Sequence, residues 1–264
     1  MSAREDEGMD LDWGDGDYGR TAEVLEPASE IVVELAGVSE GDRVLDVACG
    51  TGNATIAAAV RGAGVVGVDL SEGLLGIARG RADAAGLPDV VLRAGDAVDL
   101  PVEQGSFDVA LSVFGVIFAT DADAAVANML AAVRPGGVIA IASWISRGPI
   151  CAAGMALRKA FPSDSGTEAF DWTRPEGVRG LLERTGAREI AQSEHELEFR
   201  APSAAEWFDE QQRNHPVWRW AGRQLPAERW AEVRRESVEA LRAGSDEPLE
   251  FRARSPYVIT RAVR

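Results

Sequence analysis

Short apolar runs alternate with longer amphipathic segments through the middle of the chain, between residues 43 and 144. Short aliphatic and β-branched runs are typical of strands buried on both faces, and apolar residues spaced three or four apart are typical of helices. The strands are predicted at 43–48, 64–69, 90–94, 107–113 and 137–144. The helices are predicted at 53–61, at 71–85 with Ser71 as N-cap, and at 122–133. Repeated units of this kind predict a doubly wound, mostly parallel α/β sheet with right-handed crossovers.

The regions on either side of this alternation are less regular. Before it, a helix is predicted from Thr21 to Ala36, with Pro27 breaking it into two pieces. After it, helices are predicted at 148–161 and 175–185, and strands around 187–199 and 249–262. The segment from Pro202 to Gly244 is predicted to be helical and carries Trp207, Trp218, Trp220 and Trp230. We expect most of these rings to pack in the core and one or two to touch a ligand.

Length and charge restrict the class of protein. The chain has 264 residues, enough for one domain with a sizeable core, and a formal net charge of −16. Ten acidic and two basic residues fall within the first 30 positions, so half of that charge lies in an acidic N-terminal arm. Such an excess argues against nucleic acid or an anionic membrane as a partner. Cys49 and Cys151 form no disulfide framework or zinc motif, and no signal or membrane-spanning segment is visible, so we expect a cytoplasmic protein.

The stretch from Val44 to Ile56 combines a strand, a glycine loop and the start of a helix. Gly50 and Gly52 suit a tight loop that needs positive φ or a close approach of the backbone to a ligand. Asn53 is predicted to cap the helix that follows. This order of elements predicts a nucleotide-type binding site at the amino end of the helix.

The dinucleotide pattern G-x-G-x-x-G is only partly matched, because Thr55 stands at its third glycine. Asp46, just before the loop, would repel a pyrophosphate, whereas a ligand with a positive ammonium or sulfonium group would suit it. A nicotinamide-dependent oxidoreductase on the same fold is therefore the second hypothesis rather than the first.

The sequence Asp46-Val47-Ala48-Cys49-Gly50-Thr51-Gly52 resembles the D-x-G-x-G-x-G loop of the class I S-adenosylmethionine-dependent methyltransferases, with Ala48 at the first glycine. Later segments at predicted strand ends are similar to that family's next motifs, in the same order. These segments are Asp69-Leu70, Ala94-Gly95-Asp96-Ala97 and Ser112-Val113. The resemblance covers about residues 43 to 144.

The resemblance implies a Rossmann-like methyltransferase fold: a seven-stranded sheet closed by an antiparallel pair, an N-terminal helical lid, and a helical cap inserted before the last strand. It divides a single domain, 1–264, into an arm and lid at 1–40, a cofactor-binding core at 41–145 and an acceptor-side half at 146–264, with the cap at about 202–244. It implies S-adenosyl-L-methionine as the cofactor. The residues implied to bind it are Asp46, Ala48, Gly50, Gly52, Asn53, Asp69, Leu70, Asp96, Ala97, Ser112 and Val113.

Each segment has an implied role. Asp69 is expected to accept hydrogen bonds from both ribose hydroxyls, with Leu70 against the adenine, although Asp69 could instead cap the next helix. Asp96 and the backbone N–H of Ala97 are expected to bond the adenine, although a turn aspartate is the plain alternative. Backbone groups around Ser112–Val113 are expected to face the methionine end of the cofactor.

Methyl transfer is an in-line displacement, so proximity and orientation can supply much of the catalysis. A general base is needed only where the acceptor atom carries a proton. His215 and Tyr18 are the candidate catalytic residues, whereas His195, in an alternating strand, is expected to be structural. No carboxylate cluster has the spacing of a divalent-metal site, so we expect a metal-independent enzyme.

The leading hypothesis is therefore transfer of a methyl group to an oxygen, nitrogen or carbon atom of a small apolar or aromatic metabolite. The expected partner is that small-molecule acceptor, with no nucleic acid and no membrane, and a homodimer is the possible assembly. A binding module that holds S-adenosylmethionine without turning it over is the third hypothesis.

Overall fold

A computed structural model of the chain describes residues 11, 13–161, 170–247 and 249–264. These residues form a seven-stranded sheet with the order β3-β2-β1-β4-β5-β7-β6. The strands are β1 (Arg43–Val47), β2 (Gly64–Asp69), β3 (Val91–Ala94), β4 (Phe107–Val113), β5 (Val133–Trp144), β6 (Arg188–Ala201) and β7 (Phe251–Val263). Strands β1 to β5 pair in parallel, and β7 is antiparallel to both β5 and β6. The predicted doubly wound sheet with an antiparallel closing pair is confirmed.

Helices cover both faces of the sheet, and three of those described lie between β6 and β7. The helices are α1 (Tyr18–Leu35), α2 (Asn53–Val60), α3 (Glu72–Ala84), α4 (Ala122–Ala132), α5 (Pro149–Ala160), α6 (Pro175–Arg184), α7 (Ala204–Asn214), α8 (Pro216–Gln224) and α9 (Ala227–Ala243). Within the described residues, no helix combines the length and the apolar character that crossing a membrane requires.

Helix α1 runs unbroken through Pro27, so the predicted break is wrong. A proline removes one N–H donor and frees the carbonyl four residues earlier, which here belongs to Glu23. Pro27 and Glu23 are both exposed, so water can satisfy that carbonyl. On the opposite face Ala28 and Val32 are buried against the sheet, and this burial keeps the helix continuous.

The start of α2 also differs from the prediction, because its N-cap is Gly52 and not Asn53. Gly52 has a φ of 86°, in the left-handed region that favours glycine. Asn53 is the first residue inside the helix, and its side chain bonds to other elements instead. The predicted N-cap of α3 is confirmed, since the Ser71 hydroxyl accepts a hydrogen bond from the N–H of Leu74 at 3.3 Å.

The strand order reverses between β1 and β4, where β1 has β2 on one side and β4 on the other. In an open parallel sheet the crevice beyond the carboxyl ends of two such strands is the usual ligand site. Apolar side chains on the two faces of the sheet form separate cores, with α1 and α2 on one side and α4 and α6 on the other. A third core joins α5 to α7, α8 and α9.

Candidate active site

A cleft of about 980 Å³, part of it open to solvent, lies at the carboxyl ends of β1 and β4. Most of the residues predicted from sequence line it: Tyr18, Asp46, Ala48, Gly50, Asn53, Asp69, Leu70, Asp96, Ala97 and Val113. Gly52, Ser112 and His215 are not among the lining residues.

Asp69, at the end of β2, holds the glycine loop. One carboxylate oxygen accepts a hydrogen bond from the N–H of Gly50 at 2.8 Å, and the other accepts from the N–H of Ser71 at 2.8 Å. Burial raises the pKa of Asp69, and these backbone bonds oppose that shift. The carboxylate therefore joins two loops at the cleft wall, and its ribose contact stays a prediction.

Asp46 is the most deeply placed acid of the cleft, with 1% of its surface exposed. Its carboxylate accepts a hydrogen bond from the hydroxyl of Thr55 at 2.7 Å. Burial raises the pKa of Asp46 to about 7; the bonds from Thr55 oppose the shift and the charge of Asp69 adds to it. Thr55 thus has a defined function here, and it is the residue that departs from the dinucleotide pattern.

The pH dependence of stability should report the buried carboxyl of Asp46. Its pKa lies at about 7 in the folded chain against 3.8 ordinarily, so the folded state binds the extra proton between these values. Stability therefore falls as pH rises through this window. Across pH 5 to 8, the free energy of unfolding of Asp46→Asn should gain about 1–3 kcal/mol relative to the unchanged protein. Urea denaturation at several pH values measures this, and a pH-independent difference would contradict it.

The adenine-side prediction falls at a turn after β3. The carboxylate of Asp96 accepts a hydrogen bond from the N–H of Val98 at 3.1 Å, as an aspartate in a turn does. Asp96 and Ala97 nevertheless both line the cleft. Leu70, at the rim, is 66% exposed, and an apolar side chain left open at a cleft is one that a ligand can cover.

Ser112 lies beneath the cleft floor and is fully buried. Its hydroxyl donates a hydrogen bond to the carbonyl oxygen of Val47 at 2.8 Å and accepts one from the N–H of Val116 at 2.9 Å. These bonds tie β4 to β1 and to the 3₁₀ turn Val116–Phe118. The Ser112 side chain is therefore committed to the protein, and Val113 is the member of this pair that faces the cleft.

Aromatic side chains from three parts of the chain pack together at the cleft wall, where Trp13, Tyr18 and Phe118 line it. Trp13 of the arm packs edge-on against Phe118 with ring centroids 4.5 Å apart. Trp13, Tyr18 and His215 form a triangle with centroid distances of 6.1, 5.8 and 6.3 Å. Burial raises the pKa of Tyr18 to about 12, and the charge of Asp69 contributes to the rise. Tyr18 is therefore a neutral hydrogen-bond donor at neutral pH.

The predicted catalytic role of His215 stays a prediction, and burial makes its ring a weak base. Its Nδ1 caps α8 by accepting a hydrogen bond from the N–H of Val217 at 3.3 Å. Burial lowers the pKa of His215 to about 4, so the ring is neutral at neutral pH. With Nδ1 acting as an acceptor, the proton lies on Nε2. This geometry favours a role as a donor and an anchor for Tyr18 and Trp13.

Residues 44–137 match the family model described as a methyltransferase domain. Over these residues the chain is a methyltransferase domain. This match confirms the resemblance to the S-adenosylmethionine-dependent methyltransferases, which the glycine loop and the later motifs indicated. The matched residues run from β1 into β5 and include the glycine loop, Asp69 and Asp96.

Curated relatives extend the match beyond the methyltransferase domain. An uncharacterized protein of Mycobacterium tuberculosis is 38% identical over 173 residues, which is 64% of this chain and 63% of that protein. A methyltransferase of Streptomyces halstedii is 37% identical over 167 residues, 62% of this chain and 59% of that protein. The chain thus matches about three fifths of the length of these relatives.

Solved structures agree with the methyltransferase fold. A putative methyltransferase from Bacillus halodurans has a TM-score of 0.64 and 17% identity, covering 90% of this chain and 98% of that one. A phosphoethanolamine N-methyltransferase of Haemonchus contortus, in complex with S-adenosylhomocysteine, has a TM-score of 0.59 and 19% identity over 90% of this chain and 52% of that one. At these identities the similarity concerns the fold.

The remaining predicted side chains lie away from the cleft. The Nε2 atom of His195 is 2.8 Å from the hydroxyl of Ser193, and its ring stacks on Tyr257 at 5.5 Å. Trp207 and Trp218 are buried in the core that joins α5 to α7, α8 and α9. None of the four tryptophans between β6 and β7 is among the residues that line this cleft. In the described part of the chain, no group of three His, Cys, Asp or Glu residues is placed to hold a metal ion.

Sequence reasoning missed the side of the cleft that α1 supplies beyond Tyr18. Ala22, Leu25 and Ser29 also line the cleft. These positions follow Tyr18 at steps of four, three and four residues, so they form one stripe of the helix. The spacing of these residues is visible in the sequence, but their mixed polarity gives no apolar periodicity that would identify them as one face of the helix.

Proposed function

We propose that the protein transfers a methyl group from S-adenosylmethionine to a small, uncharged, largely apolar or aromatic acceptor, without a metal ion. The observation that carries this proposal is one cleft that is lined both by acids and by aromatic side chains. The acids lie in β1, at the end of β2 and just after β3, and the aromatic side chains come from the arm, α1 and the segment after β4. We assign the acids to the cofactor end of the cleft and the aromatic side chains to its acceptor end. A cofactor and its acceptor need to meet in such an arrangement.

The cofactor end fits a ligand that carries a positive centre. Asp46, Asp69 and Asp96 all line it, and a cationic group would lower the cost of ionising the two buried acids. The N-terminal end of α2 supplies donors beside them. When bound, S-adenosylmethionine would supply a methyl group bonded to a sulfonium sulfur. The thioether that departs is a good leaving group and needs little assistance from acid catalysis.

The acceptor end fits an uncharged molecule. Phe114, Phe118 and Trp13 supply apolar surface, and Tyr18 is neutral at neutral pH. His215 beside Tyr18 is neutral as well, so neither these four residues nor His215 offers a charge to pair with a charged acceptor. We infer that these residues orient the acceptor, and that any proton on the acceptor atom leaves to solvent through the open part of the cleft.

The arm is the proposed lid. Asp15 pairs with Arg219 at 2.8 Å and with Arg223, both on α8, and Arg20 pairs with Glu210 of α7 at 2.7 Å. These contacts link the segment that carries Trp13 and Tyr18, which both line the cleft, to the helices between β6 and β7. This arrangement supports the proposed division into a lid at 1–40, a core at 41–145 and an acceptor-side half at 146–264, of which residues 1–10, 12, 162–169 and 248 lie outside the described residues.

Incubation with S-adenosylmethionine labelled on the methyl group, against a panel of phenols, amines and quinol precursors, tests the proposal. We expect label in at least one uncharged aromatic acceptor, with S-adenosylhomocysteine formed in equal amount. Binding of the cofactor without transfer to any acceptor would favour the non-catalytic module. Transfer confined to charged acceptors would contradict the proposed acceptor class.

A further inference from the structure

An arginine that does not line the cleft forms hydrogen bonds with the glycine loop. The Nη1 atom of Arg81, on α3, donates to the carbonyl oxygen of Thr51 at 2.9 Å and lies 3.2 Å from the Thr51 hydroxyl. It also donates to the side-chain oxygen of Asn53 at 2.6 Å. Arg81 is 30 positions from Thr51 in sequence and is not among the residues that line the cleft.

The loop is thereby fixed from two sides. Asp69 holds the N–H of Gly50, and Arg81 holds the carbonyl of Thr51, the next residue. Bonds to a charged group are stronger than neutral ones, and two of them on adjacent peptides restrict how the loop can turn. The loop backbone is therefore set in place before a ligand arrives, which lowers the ordering cost of binding.

Asn53 extends this connection to α1. Its side-chain oxygen accepts from Arg81, and its side-chain nitrogen donates to the carbonyl oxygen of Ala22 at 2.7 Å. Ala22 lies one helical turn after Tyr18, on the stripe of α1 that lines the cleft. Arg81, Asn53 and Ala22 therefore link α3, the cofactor loop and the helix that carries Tyr18.

We propose that Arg81 is a positioning residue for the cofactor loop, and that with Asn53 it couples cofactor binding to the ordering of the first turns of α1. The inference rests on the proposed function, because it assumes that the loop holds the cofactor. Coupling of this kind is reciprocal: a docked α1 favours the loop geometry that binds the cofactor, and a bound cofactor favours a docked α1.

The test uses the full chain and S-adenosylhomocysteine as the ligand. Arg81→Met and Arg81→Gln remove the charge, and Arg81→Lys keeps it without the planar geometry. Arg79→Met, at an exposed position of the same helix, is the matched control. Calorimetry should show binding weakened about tenfold in the Met and Gln variants, less in Arg81→Lys, and within about twofold of the unchanged protein in Arg79→Met.

Ligand-induced changes in hydrogen exchange distinguish coupling to α1 from a purely structural role of Arg81. With each protein saturated by the ligand, exchange in residues 18–26 should slow clearly in the unchanged protein and in Arg79→Met, and less in Arg81→Met and Arg81→Gln. Equal affinity, or equal slowing, in the unchanged protein and both uncharged variants would overturn the inference alone. A failure of the unchanged protein to bind the ligand would overturn the proposed function and the inference together.

Discussion

Asp69→Ala is expected to weaken the binding of S-adenosylhomocysteine by about 1–3 kcal/mol, the cost of losing hydrogen bonds to a charged group. The carboxylate lies at the cleft wall and is 7% exposed, so water replaces it poorly. Two causes can contribute, because Asp69 also holds the N–H groups of Gly50 and Ser71. Calorimetric titration measures the total loss, with Asp83→Ala on the exposed face of α3 as the control.

The 2′-deoxy analogue of S-adenosylhomocysteine separates these causes. If Asp69 accepts a hydrogen bond from the 2′ hydroxyl, the Asp69→Ala change should cost less affinity with the analogue than with the parent ligand. If Asp69 acts only by holding the loop, the cost should be the same for both ligands. Unchanged affinity for the parent ligand would remove Asp69 from the site.

Gly115→Ala is expected to lower the free energy of unfolding by about 1–3 kcal/mol, as overpacking does. A Cβ atom at this position would lie 2.5 Å from both the Cβ and the carbonyl oxygen of Ala48. Ala48 has little freedom to retreat, because it already has a φ of 55°, in a region that side-chain-bearing residues rarely occupy. Because both residues line the cleft, ligand affinity should fall as well. Urea denaturation measures the first effect and calorimetry the second.

Gly76→Ala is the matched control. Gly76 is exposed inside α3, and a Cβ there meets no described atom within 4 Å. Alanine at such a site should raise the free energy of unfolding by about 0.5–1 kcal/mol, since glycine costs that much inside a helix. A Gly115→Ala variant as stable as the unchanged protein would show that the loop can shift, which would contradict the close packing of Ala48 on Gly115.

The order of strands and helices in the core could be predicted from sequence because their signals are local. Apolar runs mark the buried strands, Ser71 caps α3, and Gly186, with a φ of 100°, follows the end of α6. The placement of Asp46 and Asp69 in the cleft could also be predicted, because each lies near the carboxyl end of a predicted strand. Parallel strands bring their carboxyl ends to one edge of the sheet.

The remaining features depend on contacts between residues far apart in sequence. Asn53 is a suitable N-cap by type, yet α1 and α3 supply partners that draw its side chain away. Pro27 breaks helices in general, yet here burial of the opposite face of α1 outweighs the loss of one hydrogen bond. The pKa of His215 depends on its burial, which no local pattern indicates. Arg81 has no sequence signal that distinguishes it from Arg79.

Calorimetric titration of the unchanged protein with S-adenosylhomocysteine is the most direct test of the central claim. The claim is that the cleft at β1 and β4 binds S-adenosylmethionine as the methyl donor. We expect saturable binding with one ligand per chain. No binding of S-adenosylhomocysteine, together with saturable binding of NADH, would contradict the account and favour an oxidoreductase on this fold.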